Sequence, residues 1–169
     1  MPPLINPDNT CCFTGHRPQK LPWGVNENDP ACVALKQKLY DIAAALYESG
    51  IRHYICGMAA GCDTYFCEAV LRLRDERNGI TLEAALPCEG QASSWDSFSR
   101  IRYLNLVAQC DYETLVSREY SSENMIKRNH YMVDNSSVLV AVCDGRPGGT
   151  TSTISYARKR GLEIIELRP

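Results

Sequence analysis

The feature that most constrains this chain is Val138-Leu139-Val140-Ala141-Val142-Cys143, a run with no polar residue. A strand facing water on one side alternates apolar with polar; an unbroken apolar run belongs to a parallel sheet covered on both faces. The run leads into a glycine-rich turn, Asp144-Gly145-Arg146-Pro147-Gly148-Gly149-Thr150-Thr151. A helix follows from about Thr151 to Arg160, Gly161 stops it, and a last strand spans Glu163 to Leu167.

The same strand, turn and helix unit recurs upstream. Thr10 to Thr14 reads as the first strand, followed by a long loop from Gly15 to Pro30, and long connections are often functional. Leu35, Leu39, Ile42 and Leu46 recur at helical spacing between Ala31 and Ser49. His53 to Cys56 is the second strand, Gly57-Met58-Ala59-Ala60-Gly61 a turn, and Asp63 is placed to cap the next helix, whose Phe66, Val70 and Leu73 face the sheet. Ile80 to Leu86 is the third strand. A helix is expected within Gln91 to Gln109, capped by Ser93 or Ser94, with Trp95, Phe98, Ile101 and Leu104 on its buried stripe and Trp95 placed to cover a ligand base. Tyr112 to Ser117 is the fourth strand. Ser121 to Asn135 forms a helix with Met125, Ile126, Asn129, Met132 and Val133 on one face. Six strands alternating with helices predict an α/β fold: a Rossmann-like three-layer sandwich with a mostly parallel sheet flanked by helices. At 169 residues this is one domain, 10–169, preceded by a proline-rich arm at 1–9.

Two turns at helix starts, Gly57–Gly61 and Gly148–Gly149, suggest anion sites, because backbone N–H groups and the positive helix end converge there. Gly15-His16-Arg17 lies where the carboxyl end of a strand opens, the usual ligand position in such sheets. Arg17 would offer a planar donor fork and His16 a proton donor or acceptor. Asp63 has a sufficient role as a cap, worth about 1 kcal/mol. Glu68 is the nearest carboxylate downstream of the first glycine turn that could reach a hydroxyl or a sugar.

Charge and cysteine usage narrow the classes. A net charge of −2 argues against a dedicated duplex-DNA binder or a membrane-surface protein, both of which carry a basic excess. No apolar run reaches the ~18 residues of a membrane span. Nine cysteines, without CxxC pairs or the spacing of a secreted disulfide framework, fit free buried thiols in a reducing cytoplasm. Cys56, Cys62 and Cys67 match no familiar zinc pattern, and no metal site is expected.

TGHRP at 14–18, GMAAGCDTYFCEAV at 57–70, Trp95 with a helix ending in QCDYE, KRNHYMVDNS at 127–136 and VAVCDGRPGGTT at 140–151 stand in the order seen in the YpsA-like branch of the SLOG superfamily, which this chain resembles over nearly its whole length. That superfamily includes the DprA/SMF proteins and the LOG phosphoribohydrolases. The resemblance implies a nucleotide-like ligand held by Gly15, His16 and Arg17, by Gly57, Gly61, Asp63 and Glu68, by Arg128 and Asn129, and by Gly148, Gly149 and Thr150. The LOG pattern continues PGGxGTxxE, whereas here Ser155 stands where the glutamate should be.

The leading expectation is a cytoplasmic binder or sensor of a nucleotide-derived small molecule of the ADP-ribose, NAD or nucleoside phosphate type, with no obligatory cofactor, and with self-association as a dimer in keeping with its size. The alternative is an N-glycosidic-bond hydrolase of nucleoside phosphates, with Glu68 or Asp63 as the catalytic carboxylate. A third is a DprA-like binder of single-stranded nucleic acid, against which the acidic balance weighs.

Overall fold

A computed structural model describes residues 4–169; of the amino-terminal arm, residues 1–3 lie outside the described chain. Asn6 accepts the Asp8 N–H and opens a short 3-10 turn at Pro7–Asn9. The fold then alternates strictly: β1 (Thr10–Gly15), α1 (Pro30–Glu48), β2 (His53–Cys56), α2 (Cys62–Glu76), β3 (Thr81–Leu86), α3 (Ser97–Gln109), β4 (Tyr112–Leu115), α4 (Ser122–Asp134), β5 (Val138–Val142), α5 (Gly149–Lys159) and β6 (Glu163–Leu167).

All six strands are parallel, in the order β4-β3-β2-β1-β5-β6. The chain runs outward from β1 in one direction through β4, then crosses back to place β5 on the other side of β1. The order therefore reverses between β1 and β5, and a crevice opens beyond their carboxyl ends. The apolar run at 138–142 is buried at every position. One core joins α1, α2 and α3 to one face of the sheet, through Leu39, Phe66 and Leu106; the other joins α4 and α5 to the opposite face, through Met132, Val133 and Ile154. This is the three-layer architecture expected from the strand and helix order.

Helix starts show where local reading succeeded and where it slipped. Asp29 accepts the Ala31 N–H at 2.8 Å ahead of Pro30, and Ser121 accepts the Asn124 N–H at 3.1 Å ahead of Ser122; both are ordinary caps. α3 is capped by Asp96, which accepts the Ser99 N–H at 2.9 Å, and not by Ser93 or Ser94. The expected stripe faces outward: Phe98, Ile101 and Leu104 are exposed, while Tyr103 and Leu106 are buried. Trp95 precedes the helix and packs edge-on against Tyr103, ring centroids 5.3 Å apart, against the core and away from the residues that line the crevice.

Eight of the nine cysteines are buried, and all nine are free. Burial pushes the Cys12 thiol up to about 12, so it stays protonated as a small apolar side chain.

Candidate functional site

The crevice between β1 and β5 contains a cavity of about 420 Å³, within the range of small-molecule sites. Gly15, His16 and Arg17 enter it from the end of β1, Asp63 from α2, Arg128 and Asn129 from α4, and Gly149 and Thr150 from α5. Residues from four separate stretches thus share one space. Phe13, Thr14, Lys20, Tyr120, Met125, Ile126 and Met132 also line it and were not singled out as site residues from sequence. The last three lie on the expected apolar face of α4.

The two glycine turns have different fates. In the turn before α2, the Asp63 carboxylate reaches back to accept the Ala59 N–H at 2.9 Å, and the Cys62 N–H donates to the His16 carbonyl at 3.2 Å. Asp63 is therefore not the residue before the helix, as expected; α2 starts at Cys62, after Gly61. The carboxylate occupies an amide that a phosphate would otherwise use and brings its own negative charge. Neither Gly61 nor Gly148, the residues before α2 and α5, supplies a side-chain cap; the turn before α2 holds the Asp63 carboxylate in addition. A Cβ built on Gly149 would meet nothing within 4 Å. A Cβ on Gly148 would lie 2.4 Å from Lys20 Nζ, so a cation stands at the start of α5 where a carboxylate stands at the start of α2.

The other glycines allow close packing. At Gly15 a Cβ would stand 2.6 Å from the Cys62 Cβ, and at Gly57 2.6 Å from the Arg128 guanidinium. Gly61 has φ +87° and a Cβ there would lie 2.8 Å from the His16 carbonyl oxygen, so both conformation and space exclude a side chain. Gly61→Ala is expected to cost about 1–3 kcal/mol, read as a drop of several degrees in Tm; an unchanged Tm would contradict this account of the turn.

Three side chains in the cavity combine deep burial with an uncommitted polar atom. Arg128 is 4% exposed. Its Nη1 donates to the carbonyls of Gly57 (2.5 Å) and Ala85 (3.3 Å), and its Nε to Asn129 Oδ1 (2.8 Å). Nη2 has no partner among the described residues. Asp63, 5% exposed, engages only Oδ2. His16, 2% exposed, engages only Nε2, which lies 2.9 Å from Asp144 Oδ1 and 3.0 Å from the Asp144 N–H. That nitrogen cannot donate to the carboxylate and accept the amide at once, so the ring tautomer selects one. The sole fully sealed side-chain N or O atom without a partner, among the described residues, is Gln91 Oε1. The free atoms of Arg128, Asp63 and His16 are therefore not sealed off, and all three residues line the cavity.

The electrostatics follow from this burial. Desolvation raises the Asp63 carboxyl above its usual range, opposed by Arg128, the Ala59 N–H and Arg17. Burial lowers the Arg128 guanidinium, and Asp63 counters it; an arginine stays charged under both influences. Asp144 is held well below the usual carboxylate range, first by the Arg146 N–H, then by His16 and the Arg146 guanidinium, against a smaller opposing effect of burial. His16, Cys143 and Asp144 also bring ligand atoms within 4.8 Å of one another. A cation there would compete with the Asp144 N–H for His16 Nε2 and with Arg146, 2.5 Å from Asp144 Oδ2.

Glu68 does not join this group. It faces away from the crevice, paired with Arg102, which also holds Glu27 at 2.6 Å, and it lines a separate cavity with Phe98 and Ile101. Five residues after Asp63, it has rotated off the helix end that meets the crevice. The candidate catalytic pair of Glu68 and Asp63 is thus separated, and only Asp63 faces the space that Arg17 and Arg128 share.

A doubly wound parallel sheet with an open crevice at its switch point and convergent polar groups in it defines a Rossmann-like α/β domain. The chain belongs to the YspA SLOG family, whose sequence pattern (YpsA) matches residues 11–163. It is 29% identical over 156 residues to the SPbeta prophage-derived protein YoqJ of Bacillus subtilis (strain 168), covering 83% of this chain and 91% of that one. It is 27% identical over 152 residues to a UPF0398 protein of Bacillus thuringiensis (strain Al Hakam), covering 88% and 82%. Among solved structures, DNA processing protein A (DprA) of Streptococcus pneumoniae superposes with a TM-score of 0.62 at 13% identity, over 94% of this chain. That of Helicobacter pylori, described for its single-stranded DNA binding mode, gives 0.64 at 15%, over 95%. The chain spans 50% and 65% of those two proteins, respectively, and the likeness is one of fold.

Proposed function

We propose that this protein binds a nucleotide-derived small molecule, of the nucleoside phosphate, ADP-ribose or NAD type, in the crevice between β1 and β5, as a cytoplasmic sensor or regulatory binder. The observation that carries this reading is the set of three buried side chains, His16, Asp63 and Arg128, that line one cavity and each keep a free hydrogen-bonding atom. A ligand with matching polar groups would engage these atoms, each hydrogen bond so made contributing about 1 kcal/mol and more where it meets a charged group. The start of α5, with Gly149 and Thr150 on the wall of the cavity that Arg17 also lines, suits a phosphate. Met125, Ile126 and Met132 offer an apolar wall to a base.

Calorimetric titration with AMP, NAD and ADP-ribose tests this. Saturable binding of at least one, displaced by another, is expected; no heat from any of them at high protein concentration would overturn it.

The single-stranded DNA binding named for the Helicobacter pylori DprA supports a second reading, in which the same crevice meets a nucleic-acid strand. It predicts that an oligodeoxynucleotide binds with a steep salt dependence and competes with the nucleotides. None of the described helices is long and apolar enough to cross a membrane, and neither reading needs one.

A further inference from the structure

Asp63 is the one group in the cavity that only accepts hydrogen bonds when ionised. Its Oδ2 is committed to the Ala59 N–H at 2.9 Å, while Oδ1 has no partner among the described residues, on a side chain that lines the cavity. A carboxylate repels phosphate, so the group it meets is a neutral donor. Arg128, also lining the cavity and electrostatically coupled to Asp63, leaves Nη2 free as a donor. The pair therefore presents one open acceptor and one open donor.

Of the parts of a nucleotide, the phosphate accepts only and is matched by the start of α5 and by Arg17. The base is matched by the apolar side chains of α4. The vicinal hydroxyls of a ribose donate from one oxygen and accept at its neighbour, which is what the Asp63 and Arg128 pair lacks.

We propose that Asp63, positioned by the Ala59 N–H, reads the sugar: with Arg128 it engages the 2′,3′-diol, so that the site takes ribonucleotides and discriminates against their deoxy counterparts. This rests on the nucleotide reading above and narrows it to a ligand class. It also separates the two readings of the crevice, since a site that demands the diol does not take a deoxyribose strand. A deoxy ligand leaves Asp63 Oδ1 desolvated without a donor, and buried acceptors treated in this way produce large discrimination against the analogue that lacks the hydroxyl.

The test compares AMP, 2′-deoxy-AMP and 3′-deoxy-AMP by calorimetry on the full chain, with Asp63→Asn alongside. The wild type is expected to bind AMP about tenfold to a hundredfold more tightly than at least one of the deoxy forms. In Asp63→Asn the amide oxygen still accepts the Ala59 N–H, so the turn stays closed, while the open acceptor becomes an NH₂ donor. The ribose preference should then collapse toward unity. Equal affinity of the wild type for all three nucleotides would overturn the sugar-reading role and leave nucleotide binding standing. Failure to bind any of them would overturn both. Should Asp63→Asn fail to fold, 2′-O-methyl-AMP on the wild type makes the same comparison from the ligand side, and binding as tight as AMP's, together with equal affinity for 3′-deoxy-AMP, would count against the proposal.

Discussion

Arg128→Ala should cost both the fold and the site. The guanidinium carries three hydrogen bonds at 4% exposure and is the largest favourable electrostatic influence on the ionised Asp63. Removing one partner from a buried charged arrangement costs about 3–5 kcal/mol, because the other charge remains buried without compensation. For a domain of this size that is a fall in Tm of about 10 °C or more. Affinity for a nucleotide ligand should fall at least tenfold at a temperature where the variant is folded. Arg128→Lys keeps the charge but has no planar fork to serve the Gly57 and Ala85 carbonyls and Asn129 together, so it should recover only part of both losses. Thermal unfolding and calorimetry on the same preparations check this; an Arg128→Ala protein with wild-type Tm would show that the guanidinium is not structurally committed.

Glu83→Ala is expected to destabilise by a similar amount for an unrelated reason, without acting on the crevice directly. Glu83 is fully buried in the middle of β3 and accepts from His53 (2.7 Å), Thr114 (2.6 Å) and Tyr131 (2.5 Å), tying β2, β4 and α4 to one carboxylate. Its loss takes the acceptor from buried His53 and from half-buried Thr114 and Tyr131, at about 3–5 kcal/mol in total. The same network sets an acid limit. Burial pushes the Glu83 carboxyl up, but the hydrogen bonds from His53, Thr114 and Tyr131 outweigh it and hold the folded value below the usual one. A depressed folded pKa contributes stability that is full above the unfolded value, about 4.3, and is lost as pH falls through the lower folded value. Glu83→Gln, which cannot titrate, should therefore be less stable than the wild type at neutral pH, with the gap narrowing below about pH 4.3. Urea unfolding at pH 7 and pH 3.5 measures it; a gap that stays constant would remove Glu83 from the acid response.

These two variants fall at residues that sequence reading treated unequally. Arg128 was expected as a ligand contact, but its position among charged and polar neighbours in KRNH gives no sign that it would be buried. His53 and Glu83 occur inside apolar strands, where their polarity breaks the pattern, yet nothing local says that they meet each other. Phe98, Ile101 and Leu104 show the opposite error: their spacing fits a buried stripe, and the edge position of α3 beside the short β4 leaves that stripe facing water.

What the sequence by itself determined was the order of strands and helices, the parallel three-layer fold and the set of strand ends that form the crevice. Those are carried by local signals: an apolar run at 138–143, helical periodicity in α1, glycine and proline at the turns. Only the tertiary structure decided that Asp63 folds back onto Ala59 while Glu68 turns away to Arg102, and that Arg128 is buried. Each of these depends on a partner brought close by the topology. Arg128 meets Gly57 across 71 residues of chain, and His16 meets Asp144 across 128. Such contacts form because the parallel crossovers put the ends of β1, β2 and β5 side by side, which no window of neighbouring residues can report.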